Sequence, residues 1–428
     1  MAKKYIPRLF DQTLEFSLRS KGAVLVIGPK WCGKSTTSSR HAKTIIDLTD
    51  ETLKEQYIKS AKASPTHFLQ AGEKPMLIDE WQEIAFIWNS IKKEVDKSNE
   101  FGQFILTGSV TDKTISPSRG ERHTGTGRIV RRMMRPMSLF ESGESNGKVS
   151  LTALKDGVFE PCFSNTTIDD YAFYICRGGW PLAINRDPDV ALQQAIDFYD
   201  GVISEDLFSL NDIPIRKDIA KAKKLMRSYA RNIGSQCADS VLINDVASND
   251  QSFDTKTFNK YMLALERLYV IEELEAWNPN LRSKIAIREK NTRHFVDPSI
   301  GAAALGVGPK GLFSDMNTFG FFFESLAIRD LRIYCDCCGA SLYHYRDQTD
   351  READAVIQFR DGSWALVEVK LGDQEDIDEA ADKLIKLSRD IDEEKTGKPA
   401  FLMVITQGVS AVKREDGVYQ IPLACLRN

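Results

Sequence analysis

Hydrophobic positions along this 428-residue chain fall into three regimes. In the first, short unbroken apolar runs end in glycine or polar groups: Ala23-Val-Leu-Val-Ile-Gly28, Met76-Leu-Ile-Asp79-Glu80 and Phe104-Ile-Leu-Thr107-Gly-Ser109. A strand covered on both faces needs an apolar residue at every position, so these runs predict buried parallel strands. Residues 34–44 suit a helix, and Gln82 to Asp96 is amphipathic with a helical period. Strands alternating with helices predict an α/β doubly wound sheet. Residues 136–170 mix Pro, Gly, Ser and Asn and mark a boundary.

The second regime is helical. Asp170 to Phe208 carries a helical pattern broken at Gly178-Gly179-Trp180-Pro181 and Asp187-Pro188. A basic helix over 215–232, a short helix at Val241–Ala247 and a helix over Asp254–Leu268 follow, then strand-like Val270–Leu274 and a basic loop from Asn278 to Arg293. That order predicts a winged helix-turn-helix. In the third regime, Phe319 to Tyr334 reads as a strongly apolar helix. Leu342–Arg346, Ala353–Phe359 and Trp364–Val369 alternate like strands, with Asp361-Gly362 as a hairpin turn. An amphipathic helix over Asp376–Glu393 and a strand at Ala400–Ile405 complete it.

Composition narrows the class. Hydrophobic residues make up 42% and charged residues 28%, which describes a globular chain of more than one core. No apolar run approaches the ~20 residues of a membrane span. Met1-Ala-Lys-Lys-Tyr-Ile-Pro7 is not followed by a signal-like apolar segment, so a cytoplasmic protein with no membrane partner is expected. Eight irregularly spaced cysteines read as reduced thiols. The net charge of −4 neither demands nor excludes nucleic acid. Basic residues cluster at Arg119, Arg122, Arg128, Arg131, Arg132 and Arg135, and again from Arg216 to Arg231, while Asp373 to Glu394 is acid-rich. Such runs are most simply solvated faces.

Gly28-Pro29-Lys30-Trp31-Cys32-Gly33-Lys34-Ser35-Thr36 carries the full G-x-x-x-x-G-K-[ST] pattern between an apolar strand and a helix. Backbone N–H groups of such a loop point inward at the positive end of the helix dipole and cradle phosphates. Lys34 would carry charge to the β- and γ-phosphates, and the Ser35 hydroxyl would bind Mg²⁺. Asp79 would hold the same magnesium through water, and Glu80 would polarise the attacking water as base. Thr107 or Ser109 is the expected reader of the γ-phosphate. Arg119, Arg128, Arg131, Arg132 and Arg135 are arginine-finger candidates. Cys32 is expected to have no role of its own. No base-reading motif separates ATP from GTP.

A second constellation lies in the last third. Positions 368 and 370 share one face of a strand, because side chains alternate with period two. Asp354 on the adjacent strand can then meet Glu368, with Lys370 beside them and Glu324 on the preceding helix as a further acid. Two carboxylates and a backbone carbonyl make a hard oxygen site for a second Mg²⁺, and a lysine can orient a water there. The competing reading is a surface hairpin with ordinary salt bridges. Cys335, Cys337, Cys338 and His344 lack zinc-ligand spacing. His294 and Asp297 are expected to stabilise a turn, and Lys256, Asn259 and Lys260 to form the polar side of a recognition helix.

These motifs together resemble bacterial and archaeal AAA-type P-loop ATPases that carry a C-terminal domain of unknown function. The resemblance rests on the P-loop, on Met76–Glu80, on Thr124-Gly-Thr-Gly-Arg-Ile-Val-Arg-Arg-Met-Met-Arg-Pro-Met-Ser-Leu-Phe-Glu-Ser-Gly143, and on His294-Phe-Val-Asp-Pro-Ser299. It rests also on Phe323-Glu-Ser-Leu-Ala-Ile-Arg-Asp-Leu-Arg332 and Glu368-Val-Lys-Leu-Gly372. It implies ATP with Mg²⁺, and four domains: a P-loop core over 1–150, a helical lid or linker over 151–210, a winged helix over 211–298, and a fold similar to PD-(D/E)xK nucleases over 299–428. Asp354, Glu368 and Lys370 match the nuclease motif, and Glu324 the helical acid of some members. An ATPase coupled to a DNA-binding, nuclease-like half is the first expectation. The alternative is a nucleotide-controlled switch whose nuclease-like fold is inert. DNA, a protein partner or a second copy of the chain are the partners left open.

Overall fold

The computed structural model describes residues 5–108, 126–210, 218–248, 252–278, 290–347, 351–391 and 396–428. It divides into two compact units, Met1–Pro136 with Arg267–Tyr269, and the rest of the chain.

The first unit is built on five strands, β1 (Ala23–Ile27), β2 (Thr44–Asp47), β3 (Met76–Asp79), β4 (Phe104–Thr107) and β5 (Ile129–Met133), all parallel in the order β2-β3-β4-β1-β5. Along β1, Ala23 and Leu25 enter one core while Val24 and Val26 enter another on the opposite face. That is why the run is apolar at every position. The sheet order sets β4 between β1 and β3, so the P-loop, Thr107 and Asp79 come together along the carboxyl edge, where open α/β sheets bind ligands. The expected helix over 82–96 is a 3₁₀ segment Trp81–Ile87 followed by an α-helix Trp88–Ser98.

The second unit begins at Met137. Short strands β6 (Val149–Ser150) and β7 (Cys162–Phe163) tie the Pro/Gly/Ser-rich stretch to the C-terminal end of the chain. β6 pairs in parallel with β14 (Leu426–Arg427), and β7 pairs antiparallel with β12 (Ser410–Lys413). β8 (Ala340–Arg346), β9 (Glu352–Phe359), β10 (Trp364–Lys370), β11 (Phe401–Thr406) and β13 (Tyr419–Pro422) complete a seven-stranded sheet, β7-β12-β13-β11-β10-β9-β8. β8, β9 and β10 run antiparallel, while β10, β11 and β13 are parallel. A 23-residue helix, Met316–Cys338, precedes β8, and Gln374–Asp390 links β10 to β11. Trp364 and Leu366 pack with Ile377, Ala381 and Leu384 of that linking helix. Even-numbered positions of β10 therefore face it, and Glu368 and Lys370 continue the same parity.

The second, helical regime contains the helices Ile219–Arg231, Asp239–Ala247 and Thr255–Arg267. The expected strand at 270–274 reduces to two antiparallel bridges, Ile271↔Phe295 and Leu274↔Thr292. Residues 279–289 between them lie outside the described residues. Among the described residues no helix is long and apolar enough to cross a membrane.

Candidate functional site

The P-loop closes β1 against the helix Lys34–Arg40. Gly28 has φ +145°, and a Cβ there would lie 2.1 Å from the Met134 carbonyl oxygen, so only glycine fits. Gly33 has φ +100° at the helix N-terminus. The Lys34 ammonium donates to the carbonyls of Gly28 (3.0 Å) and Pro29 (2.8 Å), spanning the loop. Ser35 Oγ donates to Asp79 Oδ1 at 3.0 Å, and Thr107 Oγ1 donates to the same oxygen. The two expected magnesium-holding groups and the expected sensor thus meet on one carboxylate. Thr36 is exposed beside Ser35, Lys30 is half-buried, and Trp31 is exposed on the loop. Cys32 is buried, its thiol donating to the Met134 carbonyl at 3.3 Å.

Glu80 follows Asp79 with left-handed backbone angles (φ 54°, ψ 47°), an uncommon conformation for glutamate, and its carboxylate accepts from the Gln82 amide. Gln82 carries no motif signal. It was not foreseen, because its role comes from the turn that Glu80 makes.

The arginines divide. Arg128 is ion-paired to Asp96 at 2.7 Å and precedes Ile129, which pairs with Ala23 at the start of β1. It therefore sits at the sheet edge opposite the P-loop. Arg131 pairs in register with Leu25, midway along β1, and also falls short of the loop edge. Arg132 donates to Ser17 Oγ at 2.9 Å. Ser109, Arg119 and Arg122 lie outside the described residues.

The second site opens as a pocket of about 470 Å³ lined by Glu324, Glu352, Asp354, Glu368, Lys370 and Asp376, with Gly234, Gln236, Thr292, His344 and Phe321 on its other walls. The register Val367↔Ala355 brings Asp354 alongside Glu368. Asp354 Oδ2 accepts the Val369 N–H at 2.7 Å. Glu368 is fully buried, and its Oε1 accepts from both Lys370 Nζ (3.0 Å) and Lys383 Nζ (2.7 Å). Its Oε2 is buried with no hydrogen-bond partner. Lys383, on the linking helix, was not foreseen. Its only local signal is its place on an amphipathic helix, and contact with Glu368 depends on tertiary packing.

Burial, reinforced by the Glu368 charge, raises the Asp354 carboxyl to about 7. Burial and the neighbouring Asp354 and Glu368 carboxylates raise Glu324 well above the ordinary glutamate range. Burial works against the Lys370 charge, but Glu368 and Asp354 outweigh it and hold the ammonium above its usual value. The four residues expected to converge share this pocket. They do not form a ready three-carboxylate site: among the described residues no set of three His, Cys, Asp or Glu side chains stands arranged to hold a metal ion. Two lysines occupy Glu368 Oε1 and a backbone amide occupies Asp354 Oδ2. The orphaned Glu368 Oε2 is the atom that fits a cation, because an unpaired buried carboxylate oxygen is costly.

His344 uses both ring nitrogens, with Gln236 Nε2 at 3.1 Å and the Lys290 carbonyl at 3.0 Å. The remaining motifs meet in a buried hub. Arg329, 1% exposed, donates to Asp297 Oδ2 at 2.9 Å and to Asp330 Oδ1 at 2.7 Å. Asp297 also accepts from Gly179 N (2.9 Å) and Ser299 N (3.0 Å), and Asp330 from Leu139 N (2.9 Å). Asp297 is thus the N-cap of the helix Pro298–Leu305 rather than part of an isolated turn, while His294 is buried with its Nδ1 on Ser325 Oγ at 3.2 Å.

Residues 20–142 match the family model of an AAA domain. Residues 168–311 and 319–426 match two domains of unknown function, DUF8612 and DUF4143. No curated protein matches the chain. Among solved structures, it is similar to a Walker-type ATPase of Pyrococcus abyssi, at 16% identity over 70% of this chain and 96% of that one, with a TM-score of 0.43. The P-loop sequence, residues 28–35, lies within the AAA match, and the two agree on an AAA-type P-loop domain in residues 20–142.

Proposed function

We propose that this protein hydrolyses ATP and that its nucleotide state governs a nucleic-acid-binding, nuclease-like second unit. The observation that carries the ATPase reading is the meeting of Ser35 Oγ with Asp79 Oδ1 at 3.0 Å, one residue from Glu80. Bound Mg²⁺ would neutralise charge on the phosphates. On this reading Ser35 and Asp79 hold it, and Lys34 turns from the loop carbonyls to the phosphates. Glu80 takes a proton from the attacking water.

In the second unit, a helix, three antiparallel strands, a helix and a parallel strand carry Glu324, Asp354, Glu368 and Lys370 to one pocket, which supports the PD-(D/E)xK-like reading. A divalent cation there would supply Lewis-acid charge for phosphodiester cleavage, held by Asp354 and Glu368. Lys370 would orient a water beside it. The winged-helix reading is supported by Thr255–Arg267, which buries Phe258, Tyr261 and Leu265 and exposes Lys256 and Asn259.

A second reading, a nucleotide-controlled switch with an inert nuclease-like fold, is favoured by the two lysines that occupy Glu368 Oε1. Supercoiled plasmid with Mn²⁺ and ATP separates them. The first reading expects nicking by the wild type and none by Asp354→Asn. It also expects salt-dependent duplex binding weakened by Lys256→Ala with Lys260→Ala. DNA binding and ATP turnover without any nicking would establish the second reading. No affinity for DNA at low salt would remove nucleic acid from both.

A further inference from the structure

The P-loop is braced from behind by a side chain outside every motif. Arg8 is 6% exposed, and its guanidinium donates from Nη1 to the Cys32 carbonyl at 2.7 Å and from Nη2 to the Arg135 carbonyl at 2.8 Å. We propose that Arg8 is a positioning residue of the phosphate cradle: it fixes the Cys32–Gly33 peptide so that the Gly33 N–H faces the nucleotide.

Carbonyl and N–H of one trans peptide point in opposite directions. Holding the Cys32 oxygen on a guanidinium behind the loop aims the Gly33 N–H into the concavity, where anion-binding loops present their donors. The brace has a fixed footing. Arg8 is the N-cap of helix Leu9–Ser20, and its own N–H is held by Asp11 Oδ2 at 2.8 Å. Asp11 in turn accepts from Tyr5 Oη at 2.9 Å and lies 2.8 Å from His41 Nε2, while Tyr5 Oη meets Thr37 Oγ1 at 3.1 Å. Thr37 lies within the P-loop helix and His41 caps its end. The segment from Tyr5 to Asp11 therefore grips the loop and its helix at three points. Burial alone would raise the Asp11 carboxyl, but hydrogen bonds from His41, the Arg8 backbone and Tyr5 keep it below its ordinary value.

The other end of the brace is equally specific. The Met134 carbonyl, next to Arg135, receives the Cys32 thiol and sits where a Gly28 Cβ would fall. Arg8 thus locks the loop to the strand exit that supports it. Lysine at this position keeps the charge but lacks the planar fork that spans two carbonyls.

This inference rests on the nucleotide-binding reading. Fluorescence of Trp31, exposed on the loop itself, reports MgADP and MgATP binding, and ATP turnover gives KM and kcat separately. Arg8→Lys should keep the wild-type melting temperature and bind MgADP severalfold more weakly. Arg8→Ala should lose about tenfold or more, the range of a charge-assisted hydrogen bond. KM should rise in the same order, with kcat at saturating ATP changed less than KM. If Arg8→Ala does not fold, Arg8→Lys decides alone. Affinities of the folded variants within twofold of wild type, with the wild type binding nucleotide, would overturn the role of Arg8. A wild type that binds no nucleotide would instead overturn the reading beneath it.

Discussion

Two clusters of buried charge in the second unit behave oppositely. Around Arg329, one guanidinium faces two carboxylates, and backbone amides of Gly179, Ser299 and Leu139 fill further acceptor positions. In the pocket, Glu324, Glu352, Asp354, Glu368 and Asp376 outnumber the lysines, two acids are pushed toward neutrality, and one oxygen is left unpaired. Burial of charge is therefore no guide to function by itself. A satisfied network organises a fold, whereas an excess of acid with an open acceptor is paid for elsewhere and points to a ligand.

The largest effect should come from breaking the satisfied cluster. Asp330→Ala leaves Arg329 with half its compensation and Leu139 N–H unpaired, and denaturant unfolding should show a loss of roughly 3–5 kcal/mol. A loss below about 1 kcal/mol would mean the hub is not structural. The pH profile comes next. Burial lowers the His344 imidazole to about 4, so its contribution is lost as pH falls from ~6.5 toward 4, at most on the order of 3 kcal/mol. Asp354, raised to about 7, acts in the other direction: its contribution is present at low pH and lost as pH rises from ~4 to 7. Melting curves should show Asp354→Asn gaining relative stability toward neutral pH and His344→Gln gaining it toward acid. The smallest expected effect is on the ligand. Mn²⁺ affinity by calorimetry should strengthen from pH 6 to 8, by up to about tenfold for each proton displaced. It should vanish in Glu368→Gln that remains folded. Equal affinity in that variant would move the cation away from Glu368.

The sequence exposed what local pattern controls. β1, β3 and β4 were readable because both faces are covered, while β2 and β5, at the sheet edges, expose Ile45 and Arg131 and carry no continuous run. Stretch 136–170 reads as a boundary because its short strands pair with partners over 240 residues away, as Cys162 does with Ala411. The candidate acids were legible because strand period and a hairpin turn determine which face they share. Arg8 and Lys383 were not, since each acts on a backbone or side chain reached only through the tertiary fold. The hub motifs were visible as motifs, but their meaning required contacts such as Leu139 with Asp330.

In the proposed mechanism the first unit turns over ATP with Glu80 as the base. Glu80→Gln keeps the size and shape of the side chain but removes its basicity. It should bind MgATP as tightly as the wild type, read by Trp31 fluorescence, while steady-state turnover falls by about 10²-fold or more. Wild-type turnover in Glu80→Gln, with nucleotide binding unchanged, would contradict the account.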